Sequence, residues 1–120
     1  MSESILENTK KVLSIDPSYN AFDVDIMMHI NTVFNTLHQL GVGPVNGFQI
    51  VSNEAVWEDF TGNEILLNQV KSYIYVKVRL LFDPPQTAHA IRVLEEAAKE
   101  AEWRMNIMVE TENQTTAPTS

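Results

Sequence analysis

Residues 64–85 read EILLNQVKSYIYVKVRLLFDPP, and the fold turns on whether this run is strand or helix. Between Ile74 and Leu80 the apolar Ile74, Val76, Val78 and Leu80 alternate with Tyr75, Lys77 and Arg79, the period of a strand rich in β-branched residues. Leu66, Val70, Tyr73, Leu80 and Leu81 instead gather on one helical face, and about twenty residues pass without a turn signal, whereas strands usually end within about ten. Length favours a helix, apolar on more than one side and therefore in need of neighbours on several faces. Asp83-Pro84-Pro85 stops it, and Thr87 is placed to cap the next.

Downstream of that stop, Ile91, Leu94, Ala98, Ala101, Met105 and Met108 alternate spacings of three and four, an a/d seam about five turns long whose alanines allow close approach. Glu95 and Lys99 stand in the favourable i,i+4 order. Trp103 and Ile107 lie off the seam, four apart; they read either as a wider internal stripe or as a contact outside the monomer. From Glu110 onward the sequence is polar, so 1–109 forms the expected helical domain and 110–120 a C-terminal tail, expected to be disordered in isolation.

Upstream, residues 41–63 hold all four glycines and Pro44, the chemistry of a loop region, with Phe48–Val51 as a possible strand or hairpin arm. Val56, Trp57 and Phe60 suggest one helical turn with its aromatics inward, Trp57 serving as a core anchor. Asp23 opens a helix whose Ile26, Ile30, Val33, Leu37 and Leu40 form one stripe, and Gly41 ends it. A short first helix is expected from Ser2 or Ser4 to about Leu13, with Ile5, Leu6, Val12 and Leu13 as its apolar side, broken by Asp16-Pro17. The fold class is thus all-α: a small bundle of four to five helices with a loop or short hairpin near 41–63.

Composition narrows function. A chain of 120 residues, 44% hydrophobic and 20% charged, suits one globular domain. No apolar run approaches the roughly 20 residues of a membrane span. Lysines at 10 and 11 follow the first apolar residues, the wrong order for a secretory signal, so the chain is expected to stay in the cytoplasm of the cell that makes it. Without cysteine there is no disulfide, thiolate nucleophile or cysteine-bound zinc.

The net charge is −8. Residues 1–63 carry eight acids against two bases, residues 64–109 six of each, and Glu110 and Glu112 supply the rest. This balance disfavours autonomous DNA binding, which is built from bases neutralising phosphates. It suggests two differently used surfaces, or simply ordinary solvated helix faces.

No catalytic or metal constellation emerges. His29 and His38 are nine apart and face opposite ways on a helix. Asp25 and His29 make only a common i,i+4 pair. Gly41-Val42-Gly43-Pro44 lacks the lysine of a phosphate loop. Adjacent acids such as Glu58-Asp59 and Glu95-Glu96 point in two directions. The chain reads as a non-enzyme with no cofactor.

Three segments together carry a resemblance: Asp23-Val24-Asp25-Ile26 through Ile30-Asn31-Thr32-Val33-Phe34; Leu40-Gly41-Val42-Gly43-Pro44; and Tyr73 through Leu-Leu-Phe-Asp-Pro-Pro ending at Pro85. Over residues 3–108 the chain resembles the head–tail connector, or adaptor, proteins of tailed bacteriophages. The resemblance implies a helix at 64–83 and a virion protein made in the host bacterial cytoplasm. It implies a homo-oligomeric ring, usually of twelve copies, beneath the portal protein, joining it to stopper or tail and leaving a channel for sequence-independent passage of DNA. On that footing Glu54, Glu58 and Asp59 are expected to line the channel. Trp103, Ile107, Met108, Glu110, Thr111 and Glu112 are expected against the portal, and Tyr73, Tyr75, Lys77 and Arg79 in subunit packing. The competing reading is a small acidic helical interaction protein, an antitoxin or phage-encoded regulator of a host protein. It explains acidity but not the Leu-Leu-Phe-Asp-Pro-Pro layout.

Overall fold

A computed structural model describes residues 3–116, with side chains through Glu110. It contains α1 (Ile5–Val12), α2 (Asp23–Gln39), α3 (Trp57–Phe60), α4 (Glu64–Phe82) and α5 (Ala88–Thr116). The expected all-α bundle is what forms, and residues 64–82 are helix.

The reasons are local. Asn63 Oδ1 accepts from the Ile65 and Leu66 N–H groups at 3.1 Å each and starts α4. Asp83 and its two prolines end it, and Thr87 Oγ1 accepts from Ala90 N–H at 3.1 Å to start α5. The alternating run is accommodated because α4 is the central helix, with α5, α2 and α1 all packed on it. Leu66, Leu67, Val70, Tyr73, Ile74 and Val78 are buried. Leu80 is only half-buried, and Leu81, expected on the same face, is 48% exposed.

The α5 seam packs on α4 through Ala98, Ala101 and Met105, all buried. α5 runs on to Thr116, across the 109/110 boundary. Residues 117–120 lie outside the described ones.

The remaining differences have physical causes. Phe48–Val51 is no strand or hairpin arm; among the described residues the only β pairing is an isolated Ser4–Val56 bridge. A side chain replaces the missing strand partner: Asn31 Nδ2 donates to Ile50 O at 2.9 Å, and Ile50 N donates to Asn31 Oδ1 at 2.7 Å. Val12, expected on the apolar side of α1, is exposed, whereas Lys10 is buried. The Lys10 Nζ donates to Pro17 O at 2.9 Å and pairs with Asp23 Oδ1 at 2.8 Å, tying the α1–α2 connection to the first turn of α2.

Both α1 and α2 end in Schellman closures. Ser14 N–H bonds Lys11 O and Ile15 N–H bonds Lys10 O, while Gly41 N–H bonds His38 O and Val42 N–H bonds Leu37 O. Ser14 at φ 62° holds the left-handed position that glycine fills at Gly41.

α4 runs antiparallel to both α2 and α5. Phe82, at its end, meets Phe22 at the start of α2 with ring centroids 5.4 Å apart. At the opposite end, a Cβ built on Gly41 would lie 4.0 Å from Val109. α2 and α5 therefore run in the same direction on neighbouring flanks of α4.

Candidate functional site

The candidate surfaces begin with the acidic segment. Glu54, Glu58 and Asp59 are all exposed, and they sit on chain that is anchored at several points. Ile50 is held by Asn31. Ile5 N–H bonds Ala55 O at 3.0 Å, and the buried Trp57 donates its indole N–H to Asn8 Oδ1 at 2.9 Å. Tyr75 stands edge-on to Trp57 at 6.0 Å, and Lys71 Nζ lies 5.5 Å from its ring centroid. Asp59 Oδ2 accepts from Val56 N–H at 3.0 Å, so that carboxylate also starts α3. An aromatic stack of Phe34, Phe48 and Phe60, with centroids 4.9–5.4 Å apart, supports the loop from beneath. Gly43 lies directly on it: a Cβ there would collide with the Phe60 ring.

The C-terminal part of α5 is the second surface. Trp103 is 63% exposed and Ile107 40%; Met108 is half-buried and Glu110 exposed. The side chains of Thr111 and Glu112 lie outside the described ones. Phe60 and Val109 border one concavity with Gly41, Gly43, Pro44 and Val45, which places α3 and this part of α5 at the same end of the molecule.

The four α4 residues expected at subunit contacts are engaged within their own chain. Tyr73 is fully buried and donates its hydroxyl to Glu102 Oε2 at 2.9 Å. Burial first, then the Glu102 bond and charge, push its pKa well above that of a free tyrosine. Tyr75 is raised too, by burial and by the charge of Glu3. Lys77 Nζ lies 5.9 Å from the centre of the Tyr73 ring, and Arg79 Nε donates to Asp83 O at 3.0 Å. Lys77 and Arg79 keep part of their surface in solvent.

Asp25 and His29 do not form a site, because His29 packs against Phe82, with centroids 6.3 Å apart. Among the described residues no three His, Asp or Glu side chains come together as metal ligands. These surfaces offer shape, charge and apolar contact, the chemistry of assembly.

Sequence reading missed three features. Lys10 could have been found, since 5, 6, 9, 10 and 13 share one face of α1. Asn31 gives no signal, being an ordinary polar residue whose partner lies 19 positions away. The outward face of α2, with Val24 67% and Met28 63% exposed, was legible as two apolar residues four apart and off the main stripe.

A protein-family model described as phage connector protein matches residues 5–112. Comparison with curated proteins and with solved structures gave no match.

Proposed function

Because the chain belongs to the phage head–tail connector family, we propose that it is a non-enzymatic adaptor that forms a ring beneath the portal of a tailed phage and joins the capsid to stopper or tail. The observation that carries this reading is the family match, which takes in α1 to α4 and all of α5 up to Glu112. Its place is then the virion, at the junction of head and tail.

In this reading α4 and α5 form the body of each wedge. Tyr73 and Tyr75 hold the wedge together from within, and Lys77 and Arg79 sit at its partly exposed rim. The C-terminal end of α5, from Met108 through Glu110, Thr111 and Glu112, faces the portal, whereas the exposed Trp103 and Ile107, expected beside them, are free to meet a neighbouring copy. Glu54, Glu58 and Asp59 line the channel, where like charge keeps DNA from adhering as it passes. Their support is exposure on a firmly anchored segment in the acidic half of the chain.

Electron microscopy and native mass measurement of the full chain with portal protein test the proposal. Rings on the portal are the expected result; a monomer or dimer that never joins portal refutes it and favours a regulator of another protein. Given rings, Glu54→Gln, Glu58→Gln and Asp59→Asn together should leave assembly intact and change the rate of DNA passage. Unchanged passage removes the channel assignment. Deleting residues 110–120 should weaken portal attachment, and normal incorporation of the truncated chain removes that contact.

A further inference from the structure

The faces of α2 and α5 turned away from α4 carry matching features at matching heights. α5 presents exposed Val93, Trp103 and Ile107. α2 presents exposed Val24 and Met28, then Asn35. Asn35 opens onto a concavity of about 410 Å³ shared with His38, Asn46, Phe48 and Gln49. The heights follow from the approach of Gly41 to Val109, where a Cβ on the glycine would lie 4.0 Å from the valine, since both helices run the same way and rise about 1.5 Å per residue. Six residues back from that contact stand Asn35 on α2 and Trp103 on α5. Sixteen back stand Asp25, between Val24 and Met28, and Val93. At the far end Phe82 lies between Phe22 and His29, so the start of α2 is beside the α4–α5 turn, as this register requires.

Resting on the ring reading above, we propose that the α5 face of one copy packs against the α2 face of the next, side by side and the same way up. Trp103 then enters the concavity beside Asn35 and His38, and Val93 rests on Val24 and Met28. The occupant is a second copy for three reasons. A buried indole needs an acceptor for its N–H, and the concavity offers amide oxygens and an imidazole where Trp103 arrives. Arg92, exposed and next to Val93, comes opposite Asp25, so the same apposition brings unlike charges together. Pairing α2 with α2 would instead leave Asp25 without an opposite charge and the indole without a partner. Because the two faces differ, every copy keeps one of each to offer, and the contact propagates until it closes on itself.

The chain has no cysteine, which makes the test clean. Gln39 and Ile107 are exposed and each lies two residues back from the Gly41–Val109 contact. Oxidising rings of the full-length double variant Gln39→Cys/Ile107→Cys should give a ladder of covalent oligomers on a non-reducing gel, while each single variant stays monomeric. Trp57 is buried throughout, so a blue shift of emission on assembly reports Trp103. Trp103→Ala should weaken assembly about tenfold or more, as losing a central aromatic anchor does. Rings that form without the ladder, dimers from either single variant, or a Trp103 shift that appears only when portal is added would each overturn the proposal. Unlinked rings remove this contact alone; absence of any ring removes the ring reading and this contact with it.

Discussion

Replacing Asn31 tests whether one amide side chain holds the 41–56 loop in place. It exchanges a hydrogen bond with each backbone group of Ile50, at 2.9 and 2.7 Å, and Ile50 is buried. Each bond contributes about 1 kcal/mol net, and a buried group left unpaired costs about 1–3 kcal/mol. Water entering from the neighbouring concavity offsets part of that, so Asn31→Ala should destabilise the chain by about 2–3 kcal/mol. For a domain of this size that is a fall of about 6–15 °C in Tm. Hydrogen exchange at the Ile50 amide should accelerate by about 10–100-fold, and protease should cut the loop sooner. Asn31→Asp keeps the acceptor but turns a carboxylate toward the Ile50 carbonyl, so at neutral pH it should be at least as damaging. Unfolding of Asn31→Ala within about 0.5 kcal/mol of the parent, with unchanged exchange at Ile50, would refute the reasoning.

Three further outcomes follow from the packing. Gly43→Ala, at φ 97° and with its Cβ directed onto Phe60, should lose about 2 kcal/mol or more in denaturant unfolding, and an equally stable variant would show that the Phe60 ring gives way freely. Lys10→Met should cost about 2–3 kcal/mol, below the roughly 3–5 kcal/mol of a fully buried pair because Asp23 remains partly exposed, and adding Asp23→Asn should restore part of the loss. Tyr73 has a folded pKa above its unfolded value of about 10, so it contributes stability fully present below that pH and lost as pH climbs beyond it; Tyr73→Phe should cost about 1 kcal/mol at pH 7 and flatten the alkaline decline in Tm.

What was legible in the sequence were periodicities and stops. The α5 seam, the stripe of α2, the break at Asp83-Pro84-Pro85 and the cap at Thr87 are local signals, and local physics realises them. The 64–82 run was ambiguous because a helix covered on three sides has no single polar face to display its period. Phe48–Val51 misled for the opposite reason: its alternation is real, but its hydrogen-bond partner is a side chain on α2 rather than a strand. Lys10 stayed hidden because a charge among apolar residues looks like a surface position until Pro17 and Asp23 are brought beside it. For assembly, exposure of Trp103 and Ile107 was legible as an off-seam pair. The proposed match of Trp103 to Asn35 and of Ile107 to Gln39 required knowing that α2 and α5 run the same way.

The attachment of α1 sets an order of events in folding. α4 and α5 are joined by a short turn and can zip together early, whereas α1 closes on Trp57 through an indole bond spanning 49 residues of sequence. The N-terminal helix should therefore dock late, its amides gaining protection from hydrogen exchange after those of α4 and α5. A refolding chain would pass through an α4–α5 hairpin with Tyr75 uncovered, completed only when Asn8 bonds the Trp57 indole and α1 closes over that side.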